Sequence, residues 1–429
     1  MISTFLYRLK QLSRRLWIRA ALISVLAVVV LYLAPLANRV LPRNFLDRID
    51  VGAVQSLVDI LANSMLAVTT FSLTVMVTAH FSASSQATPR AHRILRSDTR
   101  TQTVLATFIG AFVYALVSEV FLQTGILREE SLAAAYVVTL LVLALVIVAI
   151  LRWIEHLSRL GSMEETTRRV EEAARAAIRR RNAHPYLGGH PLRHPGQIPE
   201  DAHSVAAPRS GFVQLVDSDR LNTLAQKRGG AVYLAAGPGD WVRAGAPIAS
   251  VSGPGLDDEE ERAFTDAITL GDTRTFVQDA EFGLTVLAEI AQRALSPGLN
   301  DPRTAADVIA RIVTLLLDMT PEAAPDAPEA PHVYALPLPV SPLLMNSLDP
   351  IARDGAAMVE VQMHIQAALG HLAQHRHPEV AEAARIVSRR AMAYAEAGLQ
   401  LEEDIARTRA LAPVPNAAPA ARAGAGPAI

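Results

Sequence analysis

Gly52-Ala-Val-Gln-Ser-Leu-Val-Asp-Ile-Leu-Ala-Asn-Ser-Met-Leu-Ala-Val-Thr-Thr-Phe-Ser-Leu-Thr-Val-Met-Val-Thr-Ala-His-Phe81 is the stretch on which the fold turns. It contains one carboxylate, Asp59, and no lysine, arginine, proline or internal turn signal. An α-helix rises about 1.5 Å per residue and a hydrocarbon core is about 30 Å thick, so the run is more than long enough to span a bilayer. It must tilt or continue beyond the membrane.

Three further apolar runs flank it, about Ala20 to Leu36, Thr103 to Thr124 and Ala133 to Trp153. The first follows a basic cluster of Arg8, Lys10, Arg14 and Arg15, as a signal peptide would. Its apolar core exceeds the ~7–15 residues of a signal peptide, so an uncleaved anchor is expected. The chain of 429 residues is 51% hydrophobic and 19% charged, below the ~25% charge of a typical soluble domain. Most of the apolar excess falls in the first third. Net charge is -2, which gives no basic field for nucleic acid. The absence of cysteine excludes disulfides, thiolate metal sites and cysteine nucleophiles.

Basic residues near span ends mark the cytoplasmic side. Beside the N-terminal cluster, Arg90, Arg93, Arg96 and Arg100 follow the second span, and Arg152, Arg159, Arg168 and Arg169 follow the fourth. The intervening loops are poorer in net positive charge: Arg39, Arg43 and Arg48 with two aspartates, then Arg128 with Glu129 and Glu130. The alternation implies an inner-membrane protein with both termini cytoplasmic.

At 100° per residue, Ser56, Asp59, Asn63, Thr70, Thr74 and Thr78 fall within an arc of about 100°. Ser64, Thr69 and Ser72 lie off it. Two readings stand: a helix–helix seam, in which Ser, Thr and Asn bond across a bundle, or a wet path lined by the stripe. Glu119 in the third run is the other carboxylate at membrane depth, expected in the same outer leaflet as Asp59. Phe108 and Phe112 share its face, which argues against an open channel there.

Beyond the fourth span, Met163 to Arg181 continues as a charged linking helix, and His184 to His203 reads as a Pro/Gly/His-rich linker. From Ser210 the period changes to two. Gly211–Val216, Gly230–Ala235 and Pro247–Ser252 read as strands. Gly239-Asp-Trp-Val-Arg-Ala-Gly245 resembles half-motifs of the barrel-sandwich folds of biotinyl and lipoyl carriers. The carriers' modified lysine is missing, so the resemblance implies a structural barrel without a prosthetic group. Asp257 to Glu261 crowds a helix start with acids, as the macrodipole favours. Apolar helices are expected from Asp279 to Leu295 and up to Met319, joined by Ser296-Pro-Gly-Leu-Asn-Asp-Pro302. There Gly298 is expected to cap one helix, Asp301 to N-cap the next, and Pro302 to occupy its first position. A strand at Val333–Leu338 is expected to join the β module, followed by helices opening at Asp349-Pro350 and at Pro378.

The expected architecture is therefore an α-helical membrane protein: residues 1–160 as four transmembrane helices, 161–205 as linking helix and flexible linker, 206–255 as a small barrel-sandwich-like β module. Residues 256–411 form a helical cytoplasmic domain, making a mixed α+β whole, and 412–429 a disordered tail.

Ala83-Ser84-Ser85-Gln86-Ala87-Thr88-Pro89-Arg90 leads into Val104-Leu-Ala-Thr-Phe-Ile-Gly-Ala-Phe-Val-Tyr114. Together with Ser210–Gln214, Pro238-Gly239-Asp240 and Ser296–Pro302, these segments resemble a bacterial family of predicted membrane proteins of unknown function (domain of unknown function 2254). The resemblance covers roughly Ile60 to Ile312. Position 87 is Ala where an aromatic is expected. The resemblance implies an inner-membrane location and no known catalytic residues.

For function, no phosphate-cradling glycine loop, His-Glu metal helix or nucleophile elbow is present, which argues against an enzyme. Neither catalytic nor cofactor nor metal residues are expected. Of the linker histidines only His190 and His194 are four apart, and they lie in a Pro/Gly-rich loop context, so a simple linker is expected and not a metal site. Two functions remain: a homo-oligomeric channel or transporter gated by its cytoplasmic domain, or a membrane-anchored sensor or scaffold. The candidate lining residues are Asp59, Asn63, Thr70, Thr74, Thr78 and Glu119. The candidate motif loops are Ser84, Ser85, Gln86, Pro89 and Arg90, and Pro297, Gly298, Asn300, Asp301 and Pro302.

Overall fold

The computed structural model describes residues 16–33, 51–86, 88–91, 99–124, 132–157, 162–320 and 326–413. The N-terminal basic cluster, the loop with Arg39, Arg43 and Arg48, Arg93 and Arg96, the Arg128 loop, Arg159 and the expected tail from 414 lie outside the described residues. Two compact units divide between Thr166 and Thr167.

The N-terminal unit is helical: α1 (Leu16–Leu33), α2 (Val51–Gln86), α3 (Thr99–Gln123) and α4 (Leu132–Leu157). Val51–Ala79, Thr101–Gln123 and Ala134–Leu157 are each long and apolar enough to cross a membrane by length and composition. Helix α2 runs unbroken for 36 residues, about 54 Å, well beyond a hydrocarbon core. Val54, Val58, Leu61 and Met65 of α2 bury against Phe108, Ala111 and Tyr114 of α3 and Ala135, Val146 and Trp153 of α4. Gly110 lets α1 approach α3 closely, since a Cβ there would collide with Ile23. Outside the seam, large apolar side chains face outward: Phe71, Leu141 and Leu151 are 63%, 64% and 62% exposed. Such a surface would be unfavourable in water and suits hydrocarbon.

The C-terminal unit begins within α5 (Met163–Ala183). Two sheets follow. The larger joins β1 (His190–Pro191), β2 (His203–Ala206), β4 (Val232–Leu234), β6 (Pro247–Val251) and β8 (Val333–Ala335) in the order β1-β8-β4-β6-β2. Here β8 runs parallel to β1 and β4, and the other pairs are antiparallel. The smaller sheet sets β3 (Gly211–Val216) between β5 (Trp241–Val242) and β7 (Ile268–Gly271). Val205, Val213, Leu234, Ile248 and Leu270 share one core with Phe264 of α7 (Asp258–Asp266) and Leu221 of α6 (Ser218–Lys227). Asp257 caps α7 in a capping box with Glu260.

The remaining helices are α8 (Ala280–Ala294), α9 (Pro302–Leu317), α10 (Val340–Asp354), α11 (Val359–Leu372), α12 (Pro378–Gly398) and α13 (Glu402–Ala410). Helix α8 packs on α9 and α10, α9 on α11, and α12 on α10 and α11. Buried Gln362 donates to the carbonyls of Ala352 and Gly355 at 2.8 and 3.0 Å, satisfying the end of α10. Helix α5 is stitched to this bundle where Gly283 of α8 leaves room only for Ala174.

The structure departs from the sequence expectations in four places. The stretch from His184 to His203, expected as a flexible linker, carries β1 and ends where β2 begins. Gly189 passes so near the Val333 carbonyl that no side chain fits, and His190 stacks on Tyr334 at 5.1 Å. The β region extends to Gly271, beyond the expected boundary at 255, with α6 inserted between strands. The helix expected to open at Asp349-Pro350 starts at Val340 and carries Pro350 inside it. Its apolar stripe of Leu344, Leu348 and Ile351 crosses the proline, and burial of that stripe offsets the lost hydrogen bond. Asp349 pairs with Arg390 at 2.8 and 3.1 Å and is no cap. Finally, the helix expected to run from Pro378 to near Leu411 is two: α12 ends at Gly398, which passes against Ala356 where a Cβ has no room, Leu399 is extended, and α13 follows.

Candidate functional site

The polar stripe of α2 faces out of the N-terminal unit. Ser56, Asp59, Asn63, Thr70, Thr74 and Thr78 are all exposed, whereas Val54, Val58, Leu61, Met65 and Ser72 are buried. At 100° per residue the buried positions cluster within about 60°, and the polar arc is centred about 180° from them. The unit's own helices therefore cover the apolar face of α2 and leave its polar face uncovered. Near the start of the helix, Gly52, Gln55, Ser56, Asp59, Asn63 and Ser64 line a wide, open concavity.

The three threonines satisfy their hydroxyls within the helix. Thr70, Thr74 and Thr78 donate to the carbonyls of Leu66, Thr70 and Thr74 at 2.9, 3.0 and 3.0 Å. Thr69 and Ser72, off the stripe, lie toward the packing side, and their buried hydroxyls have no partner among the described residues. Glu119 of α3 is half-buried and accepts from Gln123 at 2.6 Å. It does not line the Asp59 concavity. Deeper in the unit, buried Tyr114 and Thr139 bond at 2.9 Å across α3 and α4.

The motif loops separate into two kinds. Helix α2 runs on through Ser84, Ser85 and Gln86, whose side chains are outside the described residues, as is Ala87. After it, Thr88 accepts from the Ala91 amide at 3.2 Å, with Pro89 and Arg90 exposed. In the C-terminal unit, Ser296–Pro302 is an exposed, internally bonded loop. The amides of Asn300 and Asp301 donate to the carbonyls of Ser296 and Ala294 at 2.8 Å each. Asp301 N-caps α9 through the Thr304 amide at 3.0 Å, and Pro302 is the first helical residue. A bond from the Thr304 hydroxyl, and after it the one from the Thr304 amide, hold the Asp301 carboxyl below the usual aspartate range. Helix α8 closes at Leu295, and the left-handed residue of the loop is Asn300, at φ 50°, not the expected cap Gly298. Asparagine tolerates that conformation, which leaves Gly298 in open space.

Pro238-Gly239-Asp240 is buttressed more tightly. Asp240 accepts from the Gly237 amide at 2.7 Å, and Gly239, at φ 100°, lies against Asp279. Asp279 caps α8 through the Phe282 amide at 2.9 Å and holds Arg274 at 2.6 and 2.8 Å. Burial pushes the Asp279 carboxyl up against the pull of Arg274.

A model of the family described as predicted membrane protein (DUF2254) matches residues 13–371, most of the chain. The chain belongs to this family. Two curated relatives, uncharacterised proteins of Mycobacterium bovis and Mycobacterium tuberculosis, are each 30% identical over 271 residues, 60% of this chain and 50% of theirs. The chain thus spans about half the length of the curated relatives it matches. No solved structure matches it. The family match takes in α2, both motif loops and the β region, and it ends within α11.

The C-terminal unit also holds a cavity that none of the sequence motifs marks. Of about 280 Å³, it opens where α5, the β1 segment and the starts of three helices meet. Its polar lining is Arg181, Asn182, Tyr186, Arg193, Thr320 and Glu379. These residues are scattered over almost 200 positions of sequence, so no spacing rule collects them. The local signal was Pro185-Tyr-Leu-Gly-Gly189, a glycine-rich turn in which Tyr186, Leu187 and Gly188 all have positive φ (50°, 58° and 84°).

Proposed function

We propose that the protein is a multi-pass inner-membrane protein whose copies assemble around α2 to form a conducting path, gated by the C-terminal unit. In this arrangement α1 is the first of four spans and both termini are cytoplasmic. The observation that carries it is the outward polar arc of α2, opposite the face buried within the chain. Lipid supplies no partners for Asp59 and Asn63, and a carboxylate at the bilayer centre costs about 2.5–3.5 kcal/mol on insertion scales, less near an interface. A second copy, or water held between copies, supplies the missing partners. Helix α1, at 18 residues and about 27 Å, supports a fourth span. The arginine bias of the sequence supports the orientation.

A membrane-anchored sensor or scaffold is the second reading. The threonine hydroxyls favour it, since each is satisfied by its own helix and tolerates lipid. Purified full-length protein in liposomes separates the two. Conduction predicts ion flux, with cysteines at Asn63, Thr70 and Thr74 reactive toward small water-soluble thiol reagents and those at Thr69 and Ser72 protected. No flux, with all five cysteines inert, refutes the channel.

A further inference from the structure

The cavity of the C-terminal unit has the makings of a ligand site under either reading of the membrane unit. Its ~280 Å³ sits at the lower edge of the ~300–1,000 Å³ typical of small-molecule pockets. Ile178, Met319 and Val340 give it an apolar floor; Asn182, Thr320 and Tyr186 add neutral polar groups. Two lining residues are cationic, Arg181 and Arg193, and one is anionic, the exposed Glu379.

Each cation is held differently. Arg181 is anchored by donating to the Leu336 carbonyl at 3.1 Å, which fixes its guanidinium at the wall. Arg193 is exposed and makes no ion pair among the described residues, so its charge is not spent internally. Asn182 ties the far wall down, donating to the Asp318 carbonyl at 2.7 Å and accepting from the Thr320 amide at 3.0 Å. The remaining wall is Tyr186, in the left-handed region at φ 50°, as is Leu187 at φ 58°. Bulky residues rarely adopt that conformation, and such strain gathers at ligand clamps.

The backbone adds to the positive potential at one point. Val340 opens α10, and its N-cap, Pro339, supplies no side-chain cap. Ala280, the first residue of α8, also lines the cavity, but Asp279 already caps that helix, and Glu379 in the first turn of α12 offsets that helix start. One uncapped helix start, that of α10, therefore reinforces the arginines.

We propose that this cavity binds a small phosphate monoester, with the phosphate between Arg181 and Arg193 and a short carbon skeleton against Met319 and Val340. Two guanidinium groups and the α10 start outweigh the single carboxylate of Glu379, and a dianion suits that balance better than a carboxylate ligand does, while the volume favours a small body.

The test is calorimetric titration of the full-length chain in detergent with glycerol phosphate, inorganic phosphate and propionate, at constant ionic strength. Glycerol phosphate should bind saturably and more tightly than inorganic phosphate, with propionate weaker than both. Arg193→Ala should weaken the phosphates about tenfold, and Arg193→Lys less. Because Arg193 is exposed, its variants should fold. Independently of any variant, the methyl resonance of Met319 should shift on titration with glycerol phosphate. No saturable binding, binding unchanged in Arg193→Ala, an unmoved Met319 methyl, or propionate binding as tightly as the phosphates would each overturn the proposal.

Discussion

Gly239→Ala tests how the β region is locked to the helices. Gly239 has φ 100°, and a Cβ built on it lies 2.6 Å from Asp279 Oδ2 and 3.1 Å from an Arg274 guanidinium nitrogen. The left-handed backbone costs a non-glycine residue about 1–3 kcal/mol. Asp279 is buried and spent on two tasks, capping α8 and holding Arg274, so it has nowhere to retreat. Displacing it weakens a cap worth about 0.5–2 kcal/mol. The sum, about 1.5–5 kcal/mol, corresponds to a fall in Tm of about 3–20 °C for a unit of this size. Gly298→Ala is the matched control from the other family loop. Nothing lies within 4 Å of its Cβ, and its φ is not positive, so stability should hold or rise by up to about 1 kcal/mol. Thermal unfolding of the full chain in detergent, followed by circular dichroism, reads both. The combination Gly239→Ala with Asp279→Ala should cost less than the sum of the two, because the collision is gone. A Gly239→Ala protein that melts with the parent, or a Gly298→Ala protein that falls as far, refutes the account.

Two other outcomes follow from the electrostatics and the topology. Burial alone would raise Glu171, but its bonds to Arg175 and Arg311, at 2.8 and 2.6 Å, hold its carboxyl below the ordinary range. A depressed folded pKa stabilises above the unfolded value and is lost as pH falls, so the Tm gap between the parent and Glu171→Gln should narrow from about pH 5 to about pH 3; a constant gap contradicts the pairing. In intact cells, a cysteine at Ala53 should react with an impermeant thiol reagent added outside, and one at Ala206 should not. The natural chain has no cysteine to interfere, and labelling at Ala206 from outside reverses the orientation.

Elements fixed by local chemistry were legible in the sequence. Asp301-Pro302 starts α9 and Asp257 starts α7 because a side chain and its own next turn decide the matter. Strands β3 and β6 follow from alternation, and the long apolar helices from composition. Elements fixed by distant partners were not. His190 and Pro191 become a strand only because Tyr334 and Ala335 lie beside them, more than 140 residues away. Pro350 stays within a helix only because Leu344, Leu348 and Ile351 have a core to enter. Asn300 takes the left-handed position that glycine usually fills, and the exposed loop tolerates it.

The stripe of α2 shows the same division inside one helix. Its arc could be counted from residue numbers, because the angle between Asp59 and Thr78 depends only on helical pitch. Its direction could not. In water, the hydrophobic effect assigns the apolar face inward; between lipid and a bundle, both surroundings are apolar and that force is absent. What decides is fit. Val54, Val58, Leu61 and Met65 interlock with Phe108, Tyr114 and Trp153, so packing turns the opposite, polar arc outward. A bundle that packs through its apolar side has thus left its hydrogen-bonding capacity on the outside. In hydrocarbon, such capacity is retained at low cost only where another polar surface meets it. The proposed oligomer rests on that outward stripe: the chain completes its own packing through the apolar face of α2, and in the proposed assembly a second copy meets the polar face.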